Sequence, residues 1–311
     1  MRILFMGTPD FACFTLKALL DGGREVVGVV TQPDKPRGRG YELQPSPVKV
    51  LATERGIPVY QPTTLRDGAF DAELVALAPD VIVVVAYGKI LPPSVLQYPR
   101  FGCVNVHGSL LPQYRGAAPM QRAVMEGCSE IGVTTMLMNE GLDTGDMLLE
   151  CRLPLAADAD FEWVHDTLGA AGASLLLDTL DALAKGSVTP RPQEEALATY
   201  AAKITKADCA VDFTKSATEI HNQVRGLSPV PLAFTRTPDG RMLKIVKTVV
   251  LKAEGTFGAA GEVVSLDGGV IAVACGSGTL GILRVLPEGK GRMDADAYIR
   301  GRRLCVGDLL H

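Results

Sequence analysis

Short apolar runs alternate with helix-like stretches through the first two-thirds of the chain. Residues 2–6 form an apolar run, after which Thr8 and Pro9 have the residue types of a helix N-cap and a first helical position. The helix predicted there ends at the glycines of residues 22–23, and a second apolar run covers residues 25–31. A strand, a helix and a strand of this length indicate parallel pairing with a right-handed crossover.

The most continuous apolar run predicts a strand at the centre of that sheet. Residues 80–86 read DVIVVVA, which is typical of a parallel strand that helices cover on both faces. Residues 101–107 predict the next strand, and residues 160–185 predict one long helix that ends at Gly186. This part of the chain therefore predicts an α/β domain with a mostly parallel sheet.

The pattern changes in the last third of the chain. The prolines at 190 and 192 and the polar segment after them predict a linker, and Ser216 with Glu219 forms a capping box that opens a short helix. Short predicted strands separated by turn residues follow, at residues 232–235, 242–251, 261–265, 270–275 and 280–286. The pattern indicates a small β-barrel like an OB-fold. We predict domains at residues 1–189 and 208–311, joined by a linker at 190–207.

One predicted strand carries a pair of polar side chains. In residues 103–107, CVNVH, Asn105 and His107 lie two positions apart, so they project from the same face of the strand. Gly108 follows directly and permits a sharp exit and the close approach of a ligand. Open α/β sheets bind ligands at the carboxyl ends of their strands, so this pair predicts a functional site.

Two further segments allow both a functional and a structural interpretation. Asp143, in the turn GLDTGD, could reach a histidine on a neighbouring strand or could only close its own turn. Residues 31–47 form a Pro- and Gly-rich loop with Lys35, Arg37 and Arg39, which is either a solvated loop or an arm that meets phosphates.

Composition and charge narrow the class of protein. The formal net charge is −4, yet residues 206–311 contain 14 basic and 11 acidic residues, so a mildly basic C-terminal part hints at a polyanionic partner. The seven cysteines are scattered and form no C-x-x-C, which favours reduced thiols in the cytoplasm over disulfides or a zinc site. The first apolar run is too short for a signal peptide, and we expect no apolar stretch to reach the roughly 18 residues of a membrane span.

An asparagine, a histidine and an aspartate that converge have the groups for acyl or one-carbon transfer to an amine. The amide stabilises an oxyanion, the imidazole moves protons or donates to that oxygen, and the carboxylate orients the imidazole. Because no Ser or Cys is placed as a nucleophile, direct transfer is favoured over an acyl-enzyme route.

The two polar motifs together resemble a known family. Residues 105–119, NVHGSLLPQYRGAAP, followed by residues 141–146, GLDTGD, are similar to the formyltransferases that use 10-formyltetrahydrofolate. Residues 7–11 (GTPDF), 31–40 (TQPDKPRGRG), 199–204 (TYAAKI) and 301–303 (GRR) are similar to the branch of that family that formylates methionyl-tRNA.

The resemblance implies a Rossmann-like formyltransferase domain and an OB-like domain that helps to hold tRNA. It implies that Asn105, His107 and Asp143 are catalytic and that 10-formyltetrahydrofolate, with no metal, is the co-substrate. It also implies folate contacts from one segment, Ser109, Leu110, Leu111 and Pro112. The implied tRNA contacts are basic residues: Lys35, Arg37, Arg39, Lys203, Lys206, Arg302 and Arg303.

The implied reaction is attack of the free α-amine of initiator methionyl-tRNA on the formyl carbon, in a monomeric, cytoplasmic enzyme. Tyr114 stands where many members have tryptophan, and residues 228–231, SPVP, lack a tryptophan often found between those prolines. Alternative acceptors are an amino-sugar nucleotide, glycinamide ribonucleotide or water. A tRNA-binding protein without catalysis is the alternative from another class.

Overall fold

A computed structural model describes residues 1–37, 42–301 and 304–311, with only the backbone of Arg37 and Glu42. The chain forms two compact units. The first contains residues 1–116, 132–153 and 165–200, and the second contains residues 117–131, 154–164 and 201–311.

The strands of the N-terminal part are, in chain order, β1 (Arg2–Gly7), β2 (Glu25–Val30), β3 (Lys35–Arg37), β4 (Glu42–Gln44), β5 (Val59–Tyr60), β6 (Val81–Val85), β7 (Cys103–His107), β8 (Arg115–Gly116), β9 (Glu130–Leu137) and β10 (Met147–Pro154). Its helices are α1 (Asp10–Asp21), α2 (Pro47–Glu54), α3 (Asp71–Leu77), α4 (Pro93–Leu96), α5 (Pro119–Met125) and α6 (Phe161–Lys185).

Among the described residues, seven of these strands form one sheet, in the order β10-β9-β7-β6-β1-β2-β5. Neighbouring strands pair in parallel along one side of this order, which runs β5-β2-β1-β6-β7. The next strand, β9, pairs antiparallel with β7. All five side chains of β6 are buried, as its β-branched sequence predicts. The prediction of a Rossmann-like, mostly parallel sheet is confirmed.

The local predictions at the helix starts have mixed outcomes. Ser46 caps α2, and its hydroxyl accepts a hydrogen bond from the Lys49 N–H. The prediction that Thr8 caps α1 is wrong, because Pro9 occupies the N-cap and the Thr8 hydroxyl donates to the Tyr87 carbonyl at 3.1 Å. In residues 31–47, which we expected to be a loop, the strands β3 and β4 pair antiparallel.

Helix α6 departs from one expectation of the sequence. By length and composition it is apolar enough to cross a membrane, contrary to our prediction that no stretch would be. Several of its side chains are nevertheless buried within the protein, among them Leu168 and Leu176. The buried Thr179 hydroxyl lies 2.8 Å from that of Thr135 on β9, which is how a core helix contacts its sheet.

The second unit is built around an antiparallel sheet. The C-terminal strands are β11 (Tyr200–Ala201), β12 (Ala233–Arg236), β13 (Met242–Lys252), β14 (Val263–Ser265), β15 (Ile271–Ala274), β16 (Thr279–Pro287) and β17 (Met293–Asp294). The helices are α7 (Lys206–Cys209), α8 (Ala217–Leu227) and α9 (Ala295–Arg300), with short 3-10 helices at Glu195–Leu197 and Asp267–Gly269.

The strand order of this sheet is β12-β13-β16-β15-β14, with β17 also paired to β16. Register shifts interrupt the β13–β16 pairing, as expected for a strongly curved sheet. Helix α8 begins at the predicted capping box of Ser216 and Glu219 and buries Ile220 and Val224 in the core of the unit. The OB-like prediction is confirmed.

Candidate active site

The polar pair lies on β7, inside the sheet. Asn105 is opposite Val84 of β6, and His107 is opposite Thr134 of β9. Both side chains are buried, with exposed fractions of 8% and 6%. They therefore form a polar site at the carboxyl edge of an otherwise apolar strand.

Both ring nitrogens of His107 are near protein oxygens. Nε2 lies 2.9 Å from the carbonyl oxygen of Tyr114, and Nδ1 lies 3.8 Å from Oδ2 of Asp143. Since a carbonyl oxygen only accepts, the hydrogen of this bond belongs to Nε2. Nδ1 is then the nitrogen that faces the carboxylate, at a distance too long for a direct hydrogen bond.

Asp143 is not used to close its own turn. The turn is closed by Asn139, whose Oδ1 accepts hydrogen bonds from the Gly141 N–H at 3.0 Å and the Thr144 hydroxyl at 2.8 Å. Asp143 has a φ of 52°, in the left-handed region, and its Oδ2 accepts from the Gly116 N–H at 2.8 Å. The structure thus brings Asp143 to His107.

The amide of Asn105 is available to a ligand. No side chain or backbone group among the described residues hydrogen-bonds to it, although the residue is buried. Among the described residues, the fully buried side-chain nitrogen and oxygen atoms without a partner do not include those of Asn105, so its amide keeps a surface that a ligand can reach. Its position next to His107 fits a donor to a developing oxyanion.

The segment after β7 is held by internal bonds. The Ser109 hydroxyl donates to the Gln113 carbonyl at 2.6 Å. The Thr134 hydroxyl donates to the Ser109 carbonyl at 2.7 Å and accepts from the Leu111 N–H at 3.2 Å. Leu111 is buried, and Leu110 and Pro112 are partly exposed. These hydrogen bonds fix the course of residues 109–113 next to the polar pair. The folate contacts of residues 109–112 stay a prediction.

Cys103, the cysteine on the strand of the polar pair, is too buried to act as a nucleophile. Cys103, on the same strand as the polar pair, is 1% exposed. Burial raises the pKa of this thiol to about 12, so it is protonated at neutral pH. This supports the direct-transfer interpretation.

The edge of the site near β6 has a second set of polar contacts. The Tyr87 carbonyl accepts from the Gln32 side chain at 2.8 Å, and Lys35 donates to the same glutamine at 2.6 Å. Burial lowers the pKa of Lys89, as does the positive charge of Lys35.

Within residues 1–37, 42–301 and 304–311, no group of three or more His, Cys, Asp or Glu side chains could hold a metal ion.

The predicted tRNA contacts are distributed over both units. Lys35 begins β3 in the first unit, and Lys203 and Lys206 are exposed in the second. Arg39, Arg302 and Arg303 lie outside the described residues, as does the side chain of Arg37.

Sequence reasoning missed one residue next to the site. Gln193 is 50 positions from Asp143 in the chain, and its side chain donates to the Asp143 carbonyl at 2.8 Å. It lies in the segment that we predicted to be a linker, where no local pattern marks it. Only a structure shows this contact.

Comparison with known proteins covers nearly the whole chain. A family model described as formyl transferase matches residues 1–180, and one described as formyl transferase, C-terminal domain, matches residues 203–303. A methionyl-tRNA formyltransferase from Citrifermentans bemidjiense is 48% identical over 310 residues, 100% of this chain and 96% of that protein. One from Lachnospira eligens is 48% identical over 314 residues, 100% of this chain and 99% of that protein.

Solved structures show the same fold at lower identity. WlaRD, a sugar 3N-formyl transferase, is 18% identical with a TM-score of 0.66 and covers 94% of this chain and 99% of its own. HypX from Aquifex aeolicus, in complex with tetrahydrofolic acid, is 19% identical with a TM-score of 0.63 and covers 98% of this chain and 47% of its own.

Proposed function

Because the chain belongs to the formyl transferase family, and within it to the methionyl-tRNA formyltransferases, we propose that it formylates the α-amine of initiator methionyl-tRNA with 10-formyltetrahydrofolate. The observation that carries this proposal is the convergence of Asn105, His107 and Asp143 in a chain 48% identical to such enzymes over its full length. The sugar N-formyltransferases and the glycinamide ribonucleotide transformylase that share the fold are 17–22% identical to this chain, so they support a small-amine acceptor less well.

The proposed reaction is a direct transfer. The neutral α-amine attacks the formyl carbon, a C–N bond forms, and the formyl oxygen becomes an oxyanion. The Asn105 amide donates to that oxygen, and the His107 ring, held by its Nε2–H bond to the Tyr114 carbonyl, lies beside it and helps to stabilise the negative charge. One such donor contributes about 10²- to 10³-fold to the rate.

Proton movement completes the transfer. The attacking nitrogen loses a proton, the bond between the formyl carbon and N10 breaks, and N10 gains a proton. Asp143 holds His107 in place and assists this transfer, since its carboxylate faces Nδ1 at 3.8 Å. The products are tetrahydrofolate and N-formylmethionyl-tRNA.

We further propose that the basic residues Lys35, Lys203 and Lys206 contact tRNA phosphates and that residues 109–112 line the folate site. Contacts of this kind supply affinity that falls with salt. In this proposal the enzyme acts as a monomer in the cytoplasm.

The test is formylation of charged initiator tRNA by the purified protein with 10-formyltetrahydrofolate. Asn105→Ala is expected to abolish turnover and leave the thermal unfolding midpoint nearly unchanged, because the wild-type amide has no protein partner among the described residues to lose. Near-normal turnover in this variant contradicts the assignment. Amino-sugar nucleotides and glycinamide ribonucleotide are offered in parallel, and faster transfer to either one would overturn the choice of acceptor.

A further inference from the structure

A segment of the first unit, residues 191–199, here named the strap, runs beside the loops that carry the candidate catalytic groups. At its start, Arg191 and Met147 exchange two backbone hydrogen bonds of 2.9 Å each. Met147 begins the strand that follows the Asp143 turn. The start of the strap is therefore hydrogen-bonded to the first residue of the strand that follows the turn.

Gln193 of the strap binds the backbone of the Asp143 turn. The two hydrogens of its Nε2 go to the carbonyls of Asp143 and Gly145, at 2.8 and 2.7 Å. Its Oε1 accepts from Nε of Arg115 at 3.0 Å. A guanidinium only donates and carbonyls only accept, so the residue between them must have both an acceptor and two donors. Only an amide side chain provides both.

The Asp143 backbone needs external support. Its φ of 52° is in the left-handed region, which is uncommon for residues other than glycine. Such conformations persist only where surrounding contacts determine them. Gln193 supplies two of these contacts on either side of Thr144, one at the strained residue itself.

Arg115 holds Gln193 from the other side. Its side chain is 1% exposed, and its Nη1 donates to both carboxylate oxygens of Glu195, at 3.1 and 2.9 Å. Glu195 is largely exposed, so solvent screens this ion pair. The burial of the guanidinium, more than its charge pairing, fixes the position of Nε.

The far end of the strap holds the loop on the histidine side. The Thr199 hydroxyl accepts from the Tyr114 N–H at 2.8 Å, and the Thr199 carbonyl accepts from the Arg115 N–H at 2.9 Å. The carbonyl of Tyr114 is the one that accepts from Nε2 of His107. The strap therefore holds two pieces of backbone: the loop whose Tyr114 carbonyl accepts from His107, and the turn that carries Asp143.

We propose that the strap is a positioning element of the active site and that Gln193 and Thr199 are its positioning residues. The expected effect on kcat rests on the proposed function. The expected effect on the position of the Asp143 carboxylate does not. Gln193 sets the place of the Asp143 carboxylate relative to Nδ1 of His107. Thr199 sets the place of the carbonyl that orients the ring.

The test replaces the amide of Gln193 with an isosteric group that cannot donate. Gln193→Glu keeps the acceptor for Arg115 and replaces Nε2, with both of its N–H donors, by one carboxylate oxygen that faces the two carbonyls. We expect kcat for formyl transfer to fall about 10- to 100-fold, from the loss of two hydrogen bonds to the turn. The KM for 10-formyltetrahydrofolate stays within about two-fold, because Gln193 touches the turn and not the segment proposed to bind folate. Gln97→Glu, at an exposed position of the same unit, adds the same charge and should leave kcat unchanged.

A spectroscopic readout tests the same inference without an assay. The chain has four histidines, His107, His165, His221 and His311, so their ring-proton resonances can be assigned by substitution. In Gln193→Glu the resonances of His107 should move, because the nearby carboxylate is displaced. Those of His165 and His311 should stay at their wild-type positions.

Thr199→Val is a second variant for the case that Gln193→Glu does not fold. It removes only the acceptor for the Tyr114 N–H, and it should lower kcat several-fold and shift the His107 resonances. Unchanged kcat and unchanged His107 resonances in a folded Gln193→Glu or Thr199→Val variant would overturn the inference. A wild-type protein that fails to formylate methionyl-tRNA would overturn the proposed function alone, because the resonance comparison stands by itself.

Discussion

Replacing the carboxylate of Asp143 by an amide separates its proposed chemistry from its structural part. Asp143→Asn keeps the size of the side chain and an oxygen that can accept from the Gly116 N–H, now 2.8 Å from Oδ2. Asparagine adopts the left-handed region as readily as aspartate does, so the φ of 52° adds no new strain. What disappears is the negative charge next to His107.

The expected loss of stability is small. A hydrogen bond to a charged group contributes about 1.5–3 kcal/mol and one between neutral groups about 1 kcal/mol, so the bond from Gly116 loses about 1 kcal/mol. Only 15% of the carboxylate side chain is exposed, and burying an amide costs less than burying a charge. The two changes oppose each other, and the free energy of unfolding should change by less than about 1 kcal/mol.

The expected loss of rate is much larger. An amide near Nδ1 neither stabilises a proton there nor relays one to N10. General acid–base assistance by one side chain contributes about 10²- to 10⁴-fold, which is about 3–5 kcal/mol of the activation barrier. The effect should appear in kcat, because the carboxylate acts on the transfer and not on tRNA binding.

The assay is formylation of methionyl-tRNA at saturating 10-formyltetrahydrofolate, with thermal unfolding measured on the same samples. Glu140→Gln is the matched control, because it removes a carboxylate from an exposed position of the same turn. A kcat of Asp143→Asn within ten-fold of wild type, with an unchanged melting curve, would refute the proposed role of the carboxylate.

Further predictions concern stability. Ser216→Ala removes the N-cap of α8 and should lower the free energy of unfolding by about 1 kcal/mol in urea. A hydrogen bond from Arg122 holds the pKa of Asp208 well below its usual range, so this contribution is complete above about pH 3.9 and is lost as the pH falls further. Asp208→Asn should therefore flatten the loss of stability below about pH 4, measured by urea unfolding. Gly145→Ala places a Cβ 1.7 Å from the Leu137 carbonyl and should destabilise by about 1–3 kcal/mol, measured by urea unfolding.

Local patterns in the sequence were reliable where the physical cause is itself local. The capping box at Ser216 and the buried strand of residues 81–85 depend on neighbours in the chain, and both are present. The pairing of Asn105 with His107 follows from strand alternation alone. Asp143 was ambiguous from spacing, because the choice between closing a turn and reaching a histidine depends on a partner 36 positions away.

Two features that sequence patterns do not report have a common cause. Thr8 has the residue type of an N-cap, but its hydroxyl bonds a carbonyl 79 positions along the chain, which no helix pattern reports. The domain bounds at residues 189 and 208 stay a prediction; by contact, residues 117–131 group with the second unit, where the Arg122 side chain binds Asp208 at 2.8 Å. Both contacts are long-range and involve single side chains.

The strap shows why composition is a weak guide to the end of a catalytic domain. Residues 190–207 are polar and contain prolines, and these features report solvent exposure rather than an absence of contacts. Gln193 is only partly buried, yet it makes two hydrogen bonds to the turn of Asp143. A short exposed segment contributes little hydrophobic burial, so its sequence is not constrained by an apolar pattern. It is constrained by the donors and acceptors that it must satisfy, and these become visible only when the turn of Asp143 and the loop of Tyr114 are placed beside it. A positioning role and a linker-like composition are therefore compatible, and polar segments that border a predicted catalytic domain are where such residues should be sought.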